Sequence, residues 1–199
     1  MSSITLAASR PTLADRLFAR SLTTDLVLIG AGAALTGVLA QVVVPLHPVP
    51  ITGQTLAVIL VGSTLGARRG ALSMVLYLAL GVAGLPWFSD ASSGRGVLAG
   101  PTGGYIVGFI AAAALTGWLA QRTWDRRVLG AFVSMSAGTL VTFAVGLPWL
   151  AASLGLTLEQ TLASGLYPFL MGGAIKALLA AGILPLAWKL SSRTTNKQV

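Results

Sequence analysis

One lysine stands deep within an apolar segment of the chain. Lys176 comes eight residues after Pro168, about 12 Å along a helix, and well before Trp188. A lysine inside a membrane costs about 2.5–3.5 kcal/mol on insertion scales, so a favourable contact should offset that cost. Two interpretations stay open: Lys176 contacts a ligand in an outward-facing cavity, or it reaches the membrane surface or a carbonyl of a neighbouring helix.

Gln54 is a second polar residue in apolar surroundings, just after Val49-Pro50-Ile51. The prolines are expected to end one helix and begin the next, leaving free backbone amides where the helix dipole favours an anionic group. Gln54 either adds a side-chain donor to that site or caps the amides of its own helix.

A glycine-rich bend precedes a later apolar segment at residues 100–105, with the sequence Gly-Pro-Thr-Gly-Gly-Tyr. Paired glycines let a ligand or a neighbouring backbone come close. We therefore expect Gly103, Gly104 and Tyr105 to line the cavity, with a plain connector as the alternative.

Small residues repeat at four-residue spacing in the first apolar segment, as Gly30 with Ala34 and Ala33 with Gly37. Such stripes allow close contact between helices in lipid. They indicate either a docking face for a partner subunit or packing inside the chain.

Composition defines the elements that must hold these residues. Of 199 residues, 55% are hydrophobic and 9% charged, whereas a soluble domain carries about 25% charged residues. This nearly excludes a soluble monomeric enzyme. Because a bilayer core takes about 20 helical residues to cross, we predict an all-α, polytopic fold with six transmembrane helices over residues 25–190. The tails are residues 1–24 and 191–199, and the expected apolar segments are 25–46, 51–66, 70–85, 102–121, 128–150 and 162–190.

The net charge of +8 reflects orientation in the membrane rather than nucleic-acid binding. Most of the 13 basic residues fall in clusters at 10–20, 68–69, 122–127 and 189–197. Each stretch between clusters holds two crossings, so the clusters share one side, which the positive-inside rule makes cytoplasmic. We therefore predict a multi-pass protein of the cell membrane with both termini in the cytoplasm.

Several kinds of chemistry are missing from the chain. It has no cysteine and a single histidine, His47, so neither a thiolate nor a His-based metal site is expected, and no cofactor is predicted. There is no Walker A motif, and the acidic residues fall in tails, loops or a first helical turn: Asp15, Asp25, Asp90, Asp125 and Glu159. The sequence thus predicts a membrane binding protein, not an enzyme, that either lets solute through or takes its energy from a partner.

Four blocks resemble the BioY biotin-uptake family, the substrate-binding S components of energy-coupling factor transporters. The resemblance follows nearly the whole chain in order. It implies a six-helix protein that captures biotin at its outer face, together with a transmembrane coupling subunit and two cytoplasmic ATPases. The blocks are residues 48–58, 65–73, 81–86 and 100–105.

The resemblance also implies site residues. Gln54 and residues 103–105 would line the site, and Lys176 would bind one polar end of biotin. The family's sixth helix usually carries Pro-Gly-Asp-x-x-Lys, but Gly173 stands here where the aspartate is expected. That aspartate would accept hydrogen bonds from the ureido N–H groups, so water, a backbone carbonyl or the loop residues Ser92 and Ser93 would have to substitute. An S component for another small vitamin and a non-transporting membrane subunit are the alternatives.

Overall fold

The computed structural model describes residues 11–195, with side chains described as far as Ser192. Residues 1–10 and 196–199 of the expected tails lie outside the described residues. The described helices are α1 (Leu13–Leu17), α2 (Leu22–Ala40), α3 (Gln54–Leu65), α4 (Ala67–Val82), α5 (Arg95–Ala99), α6 (Gly103–Ala120), α7 (Val128–Leu154), α8 (Leu158–Gly165) and α9 (Tyr167–Thr195). Two 3₁₀ turns, Ser89–Ala91 and Trp124–Arg126, lie in the loops.

The prediction of an all-α chain missed a small hairpin. Between α2 and α3, strand β1 (Val43–Val44) pairs antiparallel with β2 (Ile51–Thr52). The proline-rich segment between the strands cannot continue a helix, because proline lacks the amide proton. The first helix therefore ends six residues before the predicted 46, and the connection folds back over the start of α3.

Four helical segments are long and apolar enough to cross a membrane. They are Leu22–Ala40, Gly103–Ala120, Val128–Leu154 and Leu158–Ser192, the last combining α8 and α9. The shorter α3 is also apolar. A mostly helical chain with several apolar helices agrees with the predicted class, and the count of six crossings stays a prediction.

Two helix ends differ from the sequence-based expectation. Pro148 lies inside α7, which continues to Leu154 and ends at Gly155, a glycine in the left-handed region. The predicted last helix is divided: α8 starts with a capping box between Thr157 and Gln160, and α9 begins after Leu166. The expected segment for α7 ended at residue 150, so α7 continues about one turn further than expected.

Helix α6 is the centre of the bundle, with two thirds of its apolar span buried. Small residues allow the close packing: a Cβ added at Gly62 of α3 would lie within 2.5 Å of the Ala113 carbonyl oxygen of α6. Gly117 of α6 similarly packs against the turn between α3 and α4, where Gly66 takes a φ of +89°. The apolar core holds Met74, Tyr77, Phe88 and Leu150.

One end of the bundle holds α1 and the last described turns of α9, and we call it the basic end. It carries a cluster of interacting side chains: Asp15, Arg16, Arg20, Asp25, Arg69, Asp125, Arg126 and Trp188. Arg69 bridges Asp15 (2.9 Å) and Asp25 (2.8 Å). Burial alone would raise the pKa of Asp15, but hydrogen bonds from Arg20, Thr12 and Arg69 outweigh it and lower that pKa to about 2. The network ties α1 to the start of α4.

Asp125 and Trp188 form the other half of the basic end. The Trp188 indole donates to the Asp125 carboxylate, and the guanidinium carbon of Arg126 lies 4.1 Å from the Trp188 ring centroid. Burial raises the pKa of Asp125, although the bond from Trp188 and the charge of Arg126 work in the opposite direction. These contacts join the α6–α7 turn to α9.

Candidate functional site

A cavity of about 420 Å³ lies at the opposite end of the bundle from the basic end. Its walls come from the hairpin, the start of α3, the loop 88–102, and parts of α6, α7 and α9. Most wall residues are apolar, and polar side chains are few. A concave apolar site with a small number of polar groups is the usual form of a small-molecule site.

Lys176 lies on the α9 wall of this cavity. Its ammonium donates to the Thr52 carbonyl oxygen (2.5 Å) and to the Thr55 hydroxyl (2.8 Å). Both acceptors are uncharged, so the positive charge is solvated by the protein without being neutralised. The carbonyl contact is therefore present, and Lys176 also lies on a cavity wall, so its contact with a ligand stays a prediction.

Gln54, the first residue of α3, lines the cavity through a fixed amide. Its carbonyl oxygen accepts from the Thr52 hydroxyl (2.7 Å), and its amide nitrogen donates to the Tyr77 hydroxyl (2.7 Å). Tyr77 in turn donates to the Trp87 carbonyl oxygen (3.2 Å). Gln54 is thus held in one orientation by a chain of buried hydrogen bonds and keeps one amide hydrogen for a ligand.

Tyr105 lies on the α6 wall and belongs to an aromatic trio. Its ring packs edge-on against Phe143 of α7 and stacks on Phe169 of α9, with centroids 6.1 and 6.3 Å away. Its hydroxyl donates to the Gly165 carbonyl oxygen (3.1 Å). The trio forms a broad apolar surface on the cavity wall.

Ser92 also lines the cavity, in a loop that is tied down at several points. Its hydroxyl donates to the Ser89 carbonyl oxygen (2.6 Å), which closes the 3₁₀ turn. Gln41, just after α2, donates to the Phe88 carbonyl oxygen (3.1 Å) and accepts from the Ala91 amide (3.0 Å). Hydrogen bonds therefore hold the loop in place as part of the cavity wall.

Gly103 and Gly104 are not among the residues that line the cavity. A Cβ at Gly103 would lie 1.7 Å from the Leu98 carbonyl oxygen, and one at Gly104 would lie 2.2 Å from Trp149. These glycines allow the first turn of α6 to pack against α5 and α7, behind the wall that Tyr105 presents. Gly173 does line the cavity, and nothing lies within 4 Å of a Cβ added there.

The two small-residue stripes of α2 have different surroundings. Ala33 is fully buried, and a Cβ at Gly37 would lie 2.9 Å from the Trp87 ring. Ala34 is exposed, and a Cβ at Gly30 would have nothing within 4 Å. Ala33 and Gly37 pack inside the chain, which corrects their assignment to a docking face, whereas Gly30 and Ala34 lie on an open surface.

Several wall residues were not predicted from the sequence. Thr55 and Asp90 line the cavity, as do Thr142, Phe143 and Phe169. A signal existed for α7, since residues 139, 142 and 143 share one helix face by their spacing. For Phe169 there was no signal, because its place depends on the break between α8 and α9.

The arrangement suits a ligand with an apolar body and an anionic group. The aromatic trio offers surface to the body, the fixed Gln54 amide offers a donor, and the Lys176 ammonium offers a positive charge that no described carboxylate pairs. A charge-assisted hydrogen bond to such an ammonium is stronger than a neutral one.

Comparison with known proteins places this geometry in context. A sequence model of the BioY family matches residues 9–193. The chain is 38% identical over 173 residues to the biotin transporter BioY2 of Lactococcus lactis, covering 87% of this chain and 94% of the relative. It is 37% identical over 169 residues to the biotin transporter BioY of Rhizobium etli, covering 80% and 90%.

One solved structure is also similar. It is the S component for biotin from an ECF-type ABC transporter, with a TM-score of 0.77 and 26% sequence identity. The likeness covers 86% of this chain and 95% of the solved one.

Proposed function

The chain belongs to the BioY family, and on that premise we propose that it is the S component that captures biotin and delivers it through an energy-coupling factor transporter. Such a component is a transport protein and not an enzyme. One observation carries the proposal for this chain: the ammonium of Lys176, which no described carboxylate pairs, lies on the wall of an apolar cavity.

The chemistry of biotin suits this wall. Biotin ends in a carboxylate on an aliphatic chain, and at its other end a sulfur-containing ring is fused to a cyclic urea. The carboxylate suits Lys176, the apolar ring and chain suit the surface of Tyr105, Phe143 and Phe169, and the Gln54 amide can donate to a ligand oxygen. These assignments are supported by the position of each group on the wall and by the charge or hydrogen-bond donor that it has available.

The proposal is tested by ligand-dependent stability of the purified protein in detergent. A ligand that binds the folded state alone raises stability by RT ln(1 + [L]/Kd), about 2.7 kcal/mol at a hundredfold excess over Kd. We expect biotin to raise the thermal midpoint and a panel of other vitamins to leave it unchanged. A shift from another vitamin with none from biotin would replace the ligand, and no shift from any would remove the binding role.

We further propose six crossings with both termini in the cytoplasm, formed by α2, α3, α4, α6, α7 and the α8–α9 pair. Helix α3 is short for a crossing, but β2 leads directly into it and pairs with β1, which provides partners for backbone groups as a spanning segment requires. The chain has no cysteine, so single cysteines can be labelled cleanly. An impermeant thiol reagent applied to intact cells should label Glu159→Cys and spare Ser192→Cys, and the reverse pattern would overturn the topology.

The exposed stripe of Gly30 and Ala34 on α2 is proposed as the docking face for a transmembrane coupling subunit, which would link the protein to two cytoplasmic ATPases. Close approach between helices in lipid needs small side chains on the contact face. Both positions are open in this structure, since nothing lies within 4 Å of a Cβ at Gly30, and Ala34 is exposed.

A matched pair of variants tests this docking face. Ala34→Trp should cut biotin uptake in cells several-fold while biotin binding to the purified protein stays intact, because the side chain points away from the bundle. Gly37→Trp should instead disturb both, since overpacking against Trp87 costs about 1–3 kcal/mol or more. Normal uptake by Ala34→Trp would exclude this face as a docking site.

A further inference from the structure

The described residues that line the cavity include one carboxylate, that of Asp90. It lies in the 3₁₀ turn Ser89–Ala91. The Gln41 side chain forms hydrogen bonds to the backbone of this loop at Phe88 and at Ala91. The wall thus carries a single positive and a single negative side chain, on α9 and on this loop. A ligand without hydrogen-bond donors could use Lys176 but not Asp90.

The turn holds Asp90 in an uncommon backbone conformation. Asp90 has a φ of +56° and Ala91 a φ of +52°, both in the left-handed region. Residues other than glycine adopt it at a cost, and such positions concentrate at functional sites. The Gln41 side chain accepts from the Ala91 amide and donates to the Phe88 carbonyl oxygen. These bonds hold the backbone of the turn, so the place of Asp90 on the cavity wall is set before any ligand binds.

Two acceptors on this turn have no partner among the described residues. Asp90 is exposed, and no described residue donates a hydrogen bond to its carboxylate. The Ser89 hydroxyl also lines the cavity, and its oxygen is buried without a partner. A buried polar atom left unpaired costs stability, which is recovered when a ligand supplies the partner.

On the walls formed by β2, α3 and α9, the hydrogen-bond acceptors are largely engaged within the chain. Gly173 has no side chain, and the Thr52 carbonyl oxygen is taken by Lys176. The oxygen of Gln54 already accepts from Thr52. A ligand with N–H groups therefore finds its strongest acceptor on the loop.

We propose that Asp90, assisted by Ser89, accepts the hydrogen bonds of a ligand's N–H groups and so determines specificity for a cyclic urea. The inference rests on the proposed function, since it assigns the second polar end of biotin once Lys176 takes the first. In this arrangement the loop from Phe88 to Ser92 replaces the acceptor that position 173 lacks. The ligand class is a carboxylate joined through an apolar body to a ring with N–H donors.

The test measures affinity of the purified full-length protein for biotin and for biotin methyl ester. Asp90→Asn is the informative variant, because asparagine tolerates the left-handed region and preserves the turn. We expect it to bind biotin about tenfold more weakly, since a bond to a charged group is replaced by one to a neutral group. Ser89→Ala should weaken binding less. Thermal stability without ligand should stay unchanged in Asp90→Asn, because no described residue depends on the charge.

The sign of the effect separates contact from long-range electrostatics. Biotin is an anion, so removing a nearby negative charge without a direct contact would tighten its binding. Glu159→Gln, which removes an exposed charge outside the cavity, controls for this and should leave affinity unchanged. With the methyl ester, the loss in Asp90→Asn should persist, because the ester alters only the other end of the ligand.

The outcomes distinguish this inference from the proposed function. If the unaltered protein binds biotin but Asp90→Asn binds it equally or more tightly, the loop does not contact the N–H groups and the inference fails alone. If the loss in Asp90→Asn vanishes with the ester, Asp90 acts at the carboxylate end and the assignment is reversed. If the unaltered protein does not bind biotin, the proposed function itself fails.

Discussion

At the basic end Arg69 lies between two carboxylates, at 2.9 Å from Asp15 and 2.8 Å from Asp25. In the cavity, Lys176 contacts only a carbonyl and a hydroxyl, and Asp90 contacts no described donor. Both ends bring charged side chains into contact with a mostly apolar bundle. At the basic end Asp15 and Asp25 are paired with arginines of the chain, whereas in the cavity no described residue of opposite charge pairs with Lys176 or Asp90.

The difference indicates which charged residues stabilise the fold and which are available to a ligand. A buried charge without a partner is destabilising, because desolvation is not repaid by an opposite charge. At the basic end the ion pairs offset the desolvation cost and connect α1 with α4. In the cavity the partly buried Lys176 retains that cost until a ligand arrives, so ligand binding gains energy that internal pairing would have consumed.

The largest effect is expected where the cavity loses its positive charge. Lys176→Met keeps the length and apolar bulk of the side chain and removes the ammonium, so biotin should bind about ten- to a hundredfold more weakly. The yield of folded protein should hold or improve, because a costly cation has left the membrane interior. Isothermal titration with biotin measures the first effect and size-exclusion yield the second.

Lys189→Met is the matched control for this variant. It makes the same substitution on the same helix, at an exposed position outside the cavity. Its affinity for biotin should equal that of the unaltered protein. Equal affinity in both variants would mean that Lys176 serves only the hydrogen bonds to Thr52 and Thr55.

The sequence anticipated the apolar helices because hydrophobic runs report burial in lipid directly. It missed the hairpin at 43–52, since two residue pairs carry no detectable alternation. It also placed one helix across 162–190, where the chain breaks at Leu166. That break depends on the capping box at Thr157 and on tertiary contacts, which hydropathy does not report.

For the site, the sequence identified residues that are chemically unusual for their surroundings. Lys176 and Gln54 stand out as polar residues in apolar segments, and both lie on the cavity wall. Gly103 and Gly104 stand out equally, but they pack against α5 and α7, because a glycine pair serves helix contact and ligand contact alike. Asp90 was placed in a loop and set aside, since nothing local shows that the loop folds over the cavity.

A smaller effect is expected when a carboxylate is introduced in the cavity beside Lys176. Position 173 lines the cavity with open space around a Cβ, and it lies three residues before Lys176 on the same helix. Gly173→Asp should weaken biotin binding several-fold, because the new carboxylate would pair with Lys176 and repel the ligand carboxylate. It should also stabilise the empty protein by pairing with Lys176. Tighter binding would instead place the urea beside that turn and not at the loop.

The variant pairs the cavity charge within the chain, as at the basic end. It therefore tests whether leaving Lys176 unpaired lowers stability and favours ligand binding. A higher thermal midpoint without ligand, together with weaker biotin binding, would mean that the introduced carboxylate neutralises Lys176 without meeting the urea. Weaker binding here combined with unchanged binding in Lys176→Met would show that α9 does not line a biotin site, and the ligand assignment should then be dropped.

The smallest effect on ligand binding is expected at the basic end. The pKa of Asp15 is about 2, below its ordinary value of 3.8. A group whose pKa is lowered by folding contributes its stability fully above its unfolded pKa and loses it as the pH falls through the folded value. The contribution of Asp15 should therefore be constant from neutral pH to about 4 and disappear between about 4 and 2.

Asp15→Asn should lower the thermal midpoint by a few degrees at pH 7, since it removes a charged partner of Arg69 and Arg20. It should also flatten the fall in stability between pH 4 and 2, measured as thermal midpoints of both proteins in the same detergent. The more exposed Asp25, held by Arg69 alone, is the weaker comparison. Biotin affinity at pH 7 should be unchanged in Asp15→Asn, because the paired charges stabilise the bundle at the end away from the cavity. A loss of affinity in Asp15→Asn would show that the two ends are coupled, and the separation of their roles would be wrong.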